Sequence, residues 1–569
     1  MRGFIDRKAI KRWTAILLAL APMLIATDRT PAPISPDELR HTVLAISSDT
    51  FEGRAPGTAG EEKTVDYLVA RLRALGLEPA GPDGAWTQNV PLVHATPGVP
   101  RRLEITIGAE RLALENGRDI ASTTVRETDR VLIDGAPLVF VGYGVSAPER
   151  HWDDFKGVDL HGKIAVFLIN DPDFEAQPGD DASGRFGGAA MTYYGRWTYK
   201  FEEAARQGAI GALVIHETAA AGWGWPVALS TVLGGSYALP LEPGQAPPPL
   251  MQGFLSEGAA RAIIARAGYD LTSLKVRARA AAFRPVTLGD ARLFLDMPVT
   301  SARIESRNVL AKIQGRRFPD ETVMYGAHWD GVGVGKPDAE GHTVRAGAND
   351  DALGVASLLA LARRFMQAPR PSRTILFGFW TAEERGLLGS EYYASHPTAR
   401  LDRTVANLTI DTMQTAGPSR DVVQIGAGQN SLDGDLTLAA SGQQRFVTPD
   451  AKPERGLFYR ADHFSFAKRG VPTLLIMGIG GGVDLVDGGR IVGERWVNDY
   501  TSRCYHQPCD RWNEGWDLRG AVEDVGLFEA VGRSLSSSRI WPSWNAGSEF
   551  EAIRRQTDSS RDPGGSARK

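Results

Sequence analysis

Six short stretches in the second half of the chain carry side chains that could hold a metal or move protons. They are His328-Trp329-Asp330, Asn349-Asp350-Asp351, Glu383-Glu384, Asp411, Asp462-His463 and Tyr505-His506. Two neutral imidazoles and three carboxylates make up the nitrogen and oxygen donor set that zinc accepts. A carboxylate has two oxygens, so it can bridge two divalent ions about 3.5–4 Å apart, the spacing of co-catalytic pairs. Three carboxylates against two such ions leave a net positive centre, which makes hydroxide available near neutral pH. Of the adjacent Glu383 and Glu384, one can face a metal while its neighbour faces the water. Each stretch alone has a plainer reading. A strand-terminal histidine is usually a hydrogen-bonded structural residue. An aspartate heading a helix, as Asp350 does, is usually an N-cap. Paired glutamates often start a solvated helix. The functional reading rests on convergence, and His463 and His506 both remain candidates for the second imidazole.

Convergence depends on the elements that present these residues. An apolar strand over 322–327 ends at His328. The 347–351 stretch opens a helix whose apolar positions include Leu353, Val355, Leu358, Leu359 and Phe365. A buried strand over 373–380 runs straight into Glu383-Glu384, and a strand over 407–411 ends in Asp411. A further strand spans 471–477, and Tyr505-His506 lies beyond it. In open α/β sheets, ligands gather at the carboxyl ends of strands. From about 293 to 539, apolar strands alternate with helices, which predicts an α/β fold with a mixed, largely parallel sheet flanked by helices. Upstream, helical spacing covers 36–47 and 59–75, the second stopping at Gly76. Strands are predicted between 86 and 114. A β-rich texture follows from 131, with buried strands at 138–145, 163–169 and 212–215, a helix at 201–208 and a proline-rich loop at 243–249.

Composition bounds the class. The 569 residues carry 64 basic and 68 acidic side chains, a net charge of -4, which excludes a strongly basic nucleic-acid binder. With two cysteines, Cys504 and Cys509, the chain is neither a disulfide scaffold nor a four-cysteine zinc module. Arg2, Arg7, Lys8, Lys11 and Arg12 precede an apolar run over 13–26, the layout of a secretory signal. The run is short against the about 20 residues of a bilayer span. Leu24 spoils the small-residue pattern before a cut at Ala26, so an uncleaved anchor is the alternative. The chain is therefore expected to be exported, periplasmic or extracellular, with or without an N-terminal membrane tether.

The motifs GAHWD, GANDD, TAEERGLLGS, NLTID, YRADHFSF and RCYHQPCD occur in that order across 323–510. As a set they resemble the co-catalytic di-zinc exopeptidases of clan MH, typified by secreted bacterial leucyl aminopeptidases. Glutamate carboxypeptidases and the zinc-free transferrin receptors are more distant relatives. The resemblance implies two zinc ions, with His328 and Asp411 on one, Glu384 and His506 on the other, and Asp350 bridging. It implies Glu383 as general base, Asp330 accepting the other N–H of His328, and Tyr505 donating to the developing oxyanion. It favours His506 over His463, because the family's ligand sits in a Tyr-His motif followed by Asp. Arg460 stands nearby as a candidate for a substrate carbonyl or carboxylate, and Cys504 and Cys509 can close a disulfide around the loop. The reaction implied is hydrolysis of terminal peptide bonds in peptides with a free end, an aminopeptidase first and a carboxypeptidase or dipeptidase second. In that mechanism Glu383 takes a proton from zinc-bound water. A silent receptor-like module would show eroded ligands, and here every position carries the residue type that the chemistry needs. The stretch VFVGYGVSAPERHWDDFKGVDLHGKIAVFL, with AARQGAIGALVI, resembles a protease-associated (PA) domain. The organisation expected is a signal or anchor over 1–30, an N-terminal part of the peptidase domain over 31–130 and a PA insert over 131–285. The catalytic domain follows over 286–540, then a disordered tail over 541–569.

Overall fold

The computed structural model describes residues 31–233 and 235–561, so the signal-like segment 1–30 and the last residues, 562–569, lie outside the described part. One 28-residue strand, Val286–Ile313, organises the chain by belonging to two sheets in succession. Its first half pairs antiparallel with Arg102–Ile107 on one side and Arg130–Phe140 on the other. Its second half pairs with Thr87–Pro97 and then Arg373–Trp380.

The sheet formed by the second half of Val286–Ile313 has a parallel centre. Phe318–His328 lies between Arg373–Trp380 and Thr404–Ile410, parallel to both, and Thr473–Ile476 continues the parallel set. Every residue of Arg373–Trp380 and Thr404–Ile410 is buried. Strands covered on both faces are rich in apolar residues, as 375–380 is here. Helix Leu353–Met366 covers one face and buries nearly its whole length, packed by helices Pro36–Ile46 and Arg519–Ser537. Helix Ala59–Leu75 buries Val65, Leu68 and Leu72 and stops at Gly76, whose φ of 82° supplies the left-handed cap. Truncating a fully buried leucine such as Leu358 to alanine would cost about 2–5 kcal/mol.

The second sheet has its own apolar core, in which Phe140, Ile164 and Leu213 are fully buried. It joins Ile164–Leu168, Gly211–His216 and Met251–Ser256 in parallel, with Ile120–Thr123 antiparallel at the edge. Strands from Arg102 onward belong to this sheet, so it draws on residues before 131. No helix among the described residues is long and apolar enough to cross a membrane.

The stretch 541–561 packs against the rest of the chain. Trp544 and Phe550 are buried, and Trp544 Nε1 donates to the Gly470 carbonyl at 2.9 Å. Helix Glu551–Arg555 follows, and Arg554 donates to the Thr404 carbonyl at 3.0 Å. Two aromatic anchors are enough to dock a polar segment, and composition averages them away.

Candidate metal centre

The polar residues gather just past the carboxyl ends of the parallel strands. His328 is the last residue of its strand and is buried. Asp350 stands in a tight turn, Ala348–Ala352, that leads into helix Leu353–Met366. Gly347 before it has φ 55°, and a Cβ there would meet the Asp350 carbonyl at 2.3 Å and Arg54 Nη2 at 2.8 Å, so only glycine fits. Glu383 and Glu384 follow strand Arg373–Trp380, and Asp411 follows Thr404–Ile410. Ala382, Thr412 and His506 all take left-handed backbone conformations, each at or beside a candidate ligand. Such positions cost about 1–3 kcal/mol and persist where the surroundings over-determine them.

Asp350 lies between two imidazoles. Its Oδ1 is 3.1 Å from His328 Nε2 and its Oδ2 is 3.2 Å from His506 Nε2. Glu384 Oε2 is 3.0 Å from the same His506 nitrogen. His328, Asp350 and Asp411 form one group of donor atoms within 4.8 Å of one another, and Asp350, Glu384 and His506 form a second. Glu383 Oε2 stands 3.9 Å from His328 Nε2. The two imidazoles hold Asp350 below the usual carboxylate range, against its burial, but the other acids are shifted the opposite way. Burial and Asp350 push Asp411 up to about 8, and burial lifts Glu383 and Glu384 above the usual carboxylate range. Burial alone would lower His328, yet Glu383, Asp330 and Asp350 hold it well above an ordinary histidine. Acids that resist ionising beside imidazoles that resist deprotonating are what divalent cations resolve, and the donors are all nitrogen and oxygen.

The remaining expectations divide. His506, not His463, is in the cluster. His463 is fully buried against Phe458, and neither ring nitrogen has a hydrogen-bond partner among the described residues. Asp330 faces the other ring nitrogen of His328: its backbone carbonyl is 3.1 Å and its carboxylate 3.6 Å from Nδ1, and the carboxylate also accepts the Glu383 N–H at 3.0 Å. Tyr505 stacks on His506 and its hydroxyl is 3.3 Å from Arg460 Nη2. Cys504 and Cys509 are bridged, closing the loop that carries both.

Two supporting residues lie in stretches that the family resemblance covers, without a stated role. Asp510 accepts the N–H of Asn349 at 3.0 Å and of Asp350 at 3.1 Å, tying the His506 loop to the bridging aspartate. Arg54 is fully buried and donates to the carbonyls of Trp329, Ile46, Ala346 and Gly347. The signal for Asp510 was its place four residues after His506, and for Arg54 its place in the 49–58 stretch.

Residues 308–527, the segment that holds the whole cluster, match the model of peptidase family M28. The chain is 38% identical over 104 residues to a vacuolar membrane protease of Saccharomyces cerevisiae, which is 18% of this chain and 10% of that protein. It is 28% identical over 220 residues to leupeptin-inactivating enzyme 1 of Streptomyces exfoliatus, 37% of this chain and 44% of the relative. The chain thus spans less than half the length of these relatives. Among solved structures, an aminopeptidase from Aneurinibacillus aligns over 88% of this chain and 93% of its own, at 21% identity and a TM-score of 0.48.

Proposed function

We propose that the chain is a zinc-dependent exopeptidase with a two-ion centre, acting on peptides with a free terminus and, on the family resemblance, as an aminopeptidase. The observation that carries this is Asp350, which turns one carboxylate oxygen toward each imidazole. His328 and Asp411 would hold one ion, Glu384 and His506 the other, and Asp350 both. Zinc bound there supplies a Lewis acid for the scissile carbonyl and brings water's pKa near neutrality. Glu383 accepts no hydrogen bond among the described residues, so its Oε2 is free to take a proton and pass it to the leaving amine. Asp330 fixes the Glu383 backbone and so aims that carboxylate. Tyr505, whose oxygen accepts from Arg460, keeps its own proton to donate as charge develops on the carbonyl oxygen. The β-rich module over 131–285 is read as a PA-type insert that shapes access, and the N-terminal segment as an export signal or tether. In the test, Glu383→Gln should keep its zinc while turnover on aminoacyl-anilides falls about 10²–10⁴-fold. Near-normal turnover in that variant would overturn the role.

A further inference from the structure

The stretch that carries Glu383 and Glu384 is a turn rather than the start of a helix. Ala382 takes φ 52°, and the carbonyls of Ala382 and Glu383 accept the N–H groups of Leu388 and Gly386 at 3.0 and 2.9 Å, so the turn closes on itself. Two bonds tie it to the segment that follows His328. The Glu383 N–H donates to Asp330 Oδ1 at 3.0 Å, and Arg385 Nη2 donates to the Val332 carbonyl, also at 3.0 Å. The anchors are two residues apart on each segment. One such bond would fix where the turn lies and leave it free to rotate, whereas two so spaced fix its rotation as well. Rotation matters here because the Glu383 carboxylate accepts no hydrogen bond among the described residues, so only its backbone aims it. Arg385 itself meets no carboxylate in an ion pair among the described residues, and its Nε is buried without a hydrogen-bond partner. Its guanidinium carbon lies instead 5.0 Å from the centre of the Tyr237 ring. A cation over an aromatic face is attracted by the ring quadrupole.

Tyr237 comes from the β-rich module. It sits on the short strand Ser236–Ala238, which pairs antiparallel with Thr87–Pro97 and sets Tyr237 opposite His94. The two rings stack at 4.3 Å and 14°. Burial and then Arg385 lower His94 below an ordinary histidine, so the stacked imidazole is neutral near pH 7. Gly235 has φ 97°, and a Cβ there would meet His94 Nε2 at 2.6 Å, so this close approach needs glycine. The Ser236 hydroxyl meets Thr123 Oγ1 at 2.9 Å, which ties the strand to the edge of the second sheet. Tyr237 also packs against the buried Val90, Leu92 and Ala382. The ring is therefore held by both sheets and lies against the turn that carries the base. We propose that Arg385 is a positioning residue for Glu383: it sets the rotation of the Glu383–Glu384 turn, and Tyr237 of the module holds Arg385 in place. This rests on the peptidase reading above, in which Glu383 is the general base. The module then acts on the reaction through a packed ring, without supplying a ligand.

Kinetics of the zinc-loaded full chain on leucyl-anilide test the pair. Arg385→Met should lower kcat about ten- to a hundredfold with KM little changed, since a misplacement of about 1 Å can cost about 10²-fold. Arg385→Lys keeps a donor for Val332 and a cation over the ring, and should recover part of the loss. Tyr237→Leu should lower kcat by less than Arg385→Met does, and Tyr237→Phe should restore most of that. Adding Tyr237→Leu to Arg385→Met should cost nothing more, because the two residues act in series. An arginine that merely packed would change stability or KM and leave kcat per bound zinc intact. Wild-type kcat in Arg385→Met, or losses that multiply in the double variant, would overturn the proposal. Should Arg385→Met fail to fold, the Tyr237→Leu and Tyr237→Phe pair carries the same test. Amide hydrogen exchange is a readout that needs no activity. Over 382–388 it should quicken in Arg385→Met and in Tyr237→Leu, with zinc removed as well as bound, and unchanged exchange would refute the positioning role. If the wild type cuts no peptide, the peptidase reading has failed, and exchange alone decides whether Arg385 and Tyr237 fix the turn.

Discussion

Asp510→Asn changes one atom of a buried side chain, and its consequence can be worked from the hydrogen bonds. Oδ1 accepts the Asn349 N–H at 3.0 Å, and Oδ2 accepts the Asp350 N–H and the Tyr500 hydroxyl, both at 3.1 Å. An asparagine keeps one oxygen. If that oxygen faces Asp350, the Asn349 N–H confronts an amide NH2. If it faces Asn349, the Asp350 N–H does, although the Tyr500 hydroxyl can rotate and accept. Either way at least one buried backbone donor loses its acceptor, at about 1–3 kcal/mol. The Ala348 N–H still reaches the Asp510 carbonyl, so the loop stays docked and the damage concentrates on the Asp350 backbone. Groups that hold a metal ligand in place typically affect affinity by about 10–100-fold. Denaturant unfolding of the metal-free chain should therefore register the stability loss, and chelator competition the weaker zinc retention. Asp134→Asn, whose side chain is 81% exposed, should stay within about 0.5 kcal/mol. Wild-type stability together with wild-type zinc retention in Asp510→Asn would refute the reasoning.

Three further outcomes follow from the same geometry. His506→Ala should lose one zinc per chain by elemental analysis, whereas His463→Ala should keep both, with its cost appearing in thermal stability; the reverse pattern would exchange their roles. Reducing the Cys504–Cys509 bridge, or replacing both cysteines by serine, should destabilise by about 2 kcal/mol on loop entropy and speed zinc loss; unchanged zinc off-rates would detach the bridge from the site. Glu549 is pushed up to about 7 by burial, against the hydrogen bond from Tyr459. Its folded pKa lies above its unfolded one, so it binds the proton more tightly when folded. Its contribution is full below about pH 4.5 and is lost as pH rises through about 7, for a total near 3 kcal/mol. Glu549→Gln should flatten that part of the stability–pH curve, and an identical slope in the variant would count against it.

Local pattern determined much of this protein. The helix over 59–75 is legible because apolar residues recur at its spacing and Gly76 stops it, and the strand over 373–380 because eight residues suited to burial run together. The polar residues that matter sit just past such strands, so their order along the chain already implied one rim. The tertiary structure decided what depends on distance. His463 and His506 are both plausible imidazoles on paper. The loop closed by Cys504 and Cys509 puts one against Asp350, and helix His463–Ala467 packs the other against Phe458. Arg54 serves the site by reaching the Trp329 carbonyl 275 positions away, a pairing that no periodicity encodes. The docking of 541–561 rests on Trp544 and Phe550, which bury well only where a groove already exists. The cavity beside His506 is the furthest case: Arg196, Arg455 and Arg460 line it together from segments far apart in the chain. Hydrophobic periodicity reports what each segment buries, and only the packing of segments from separate sheets determines which charges come to face one another.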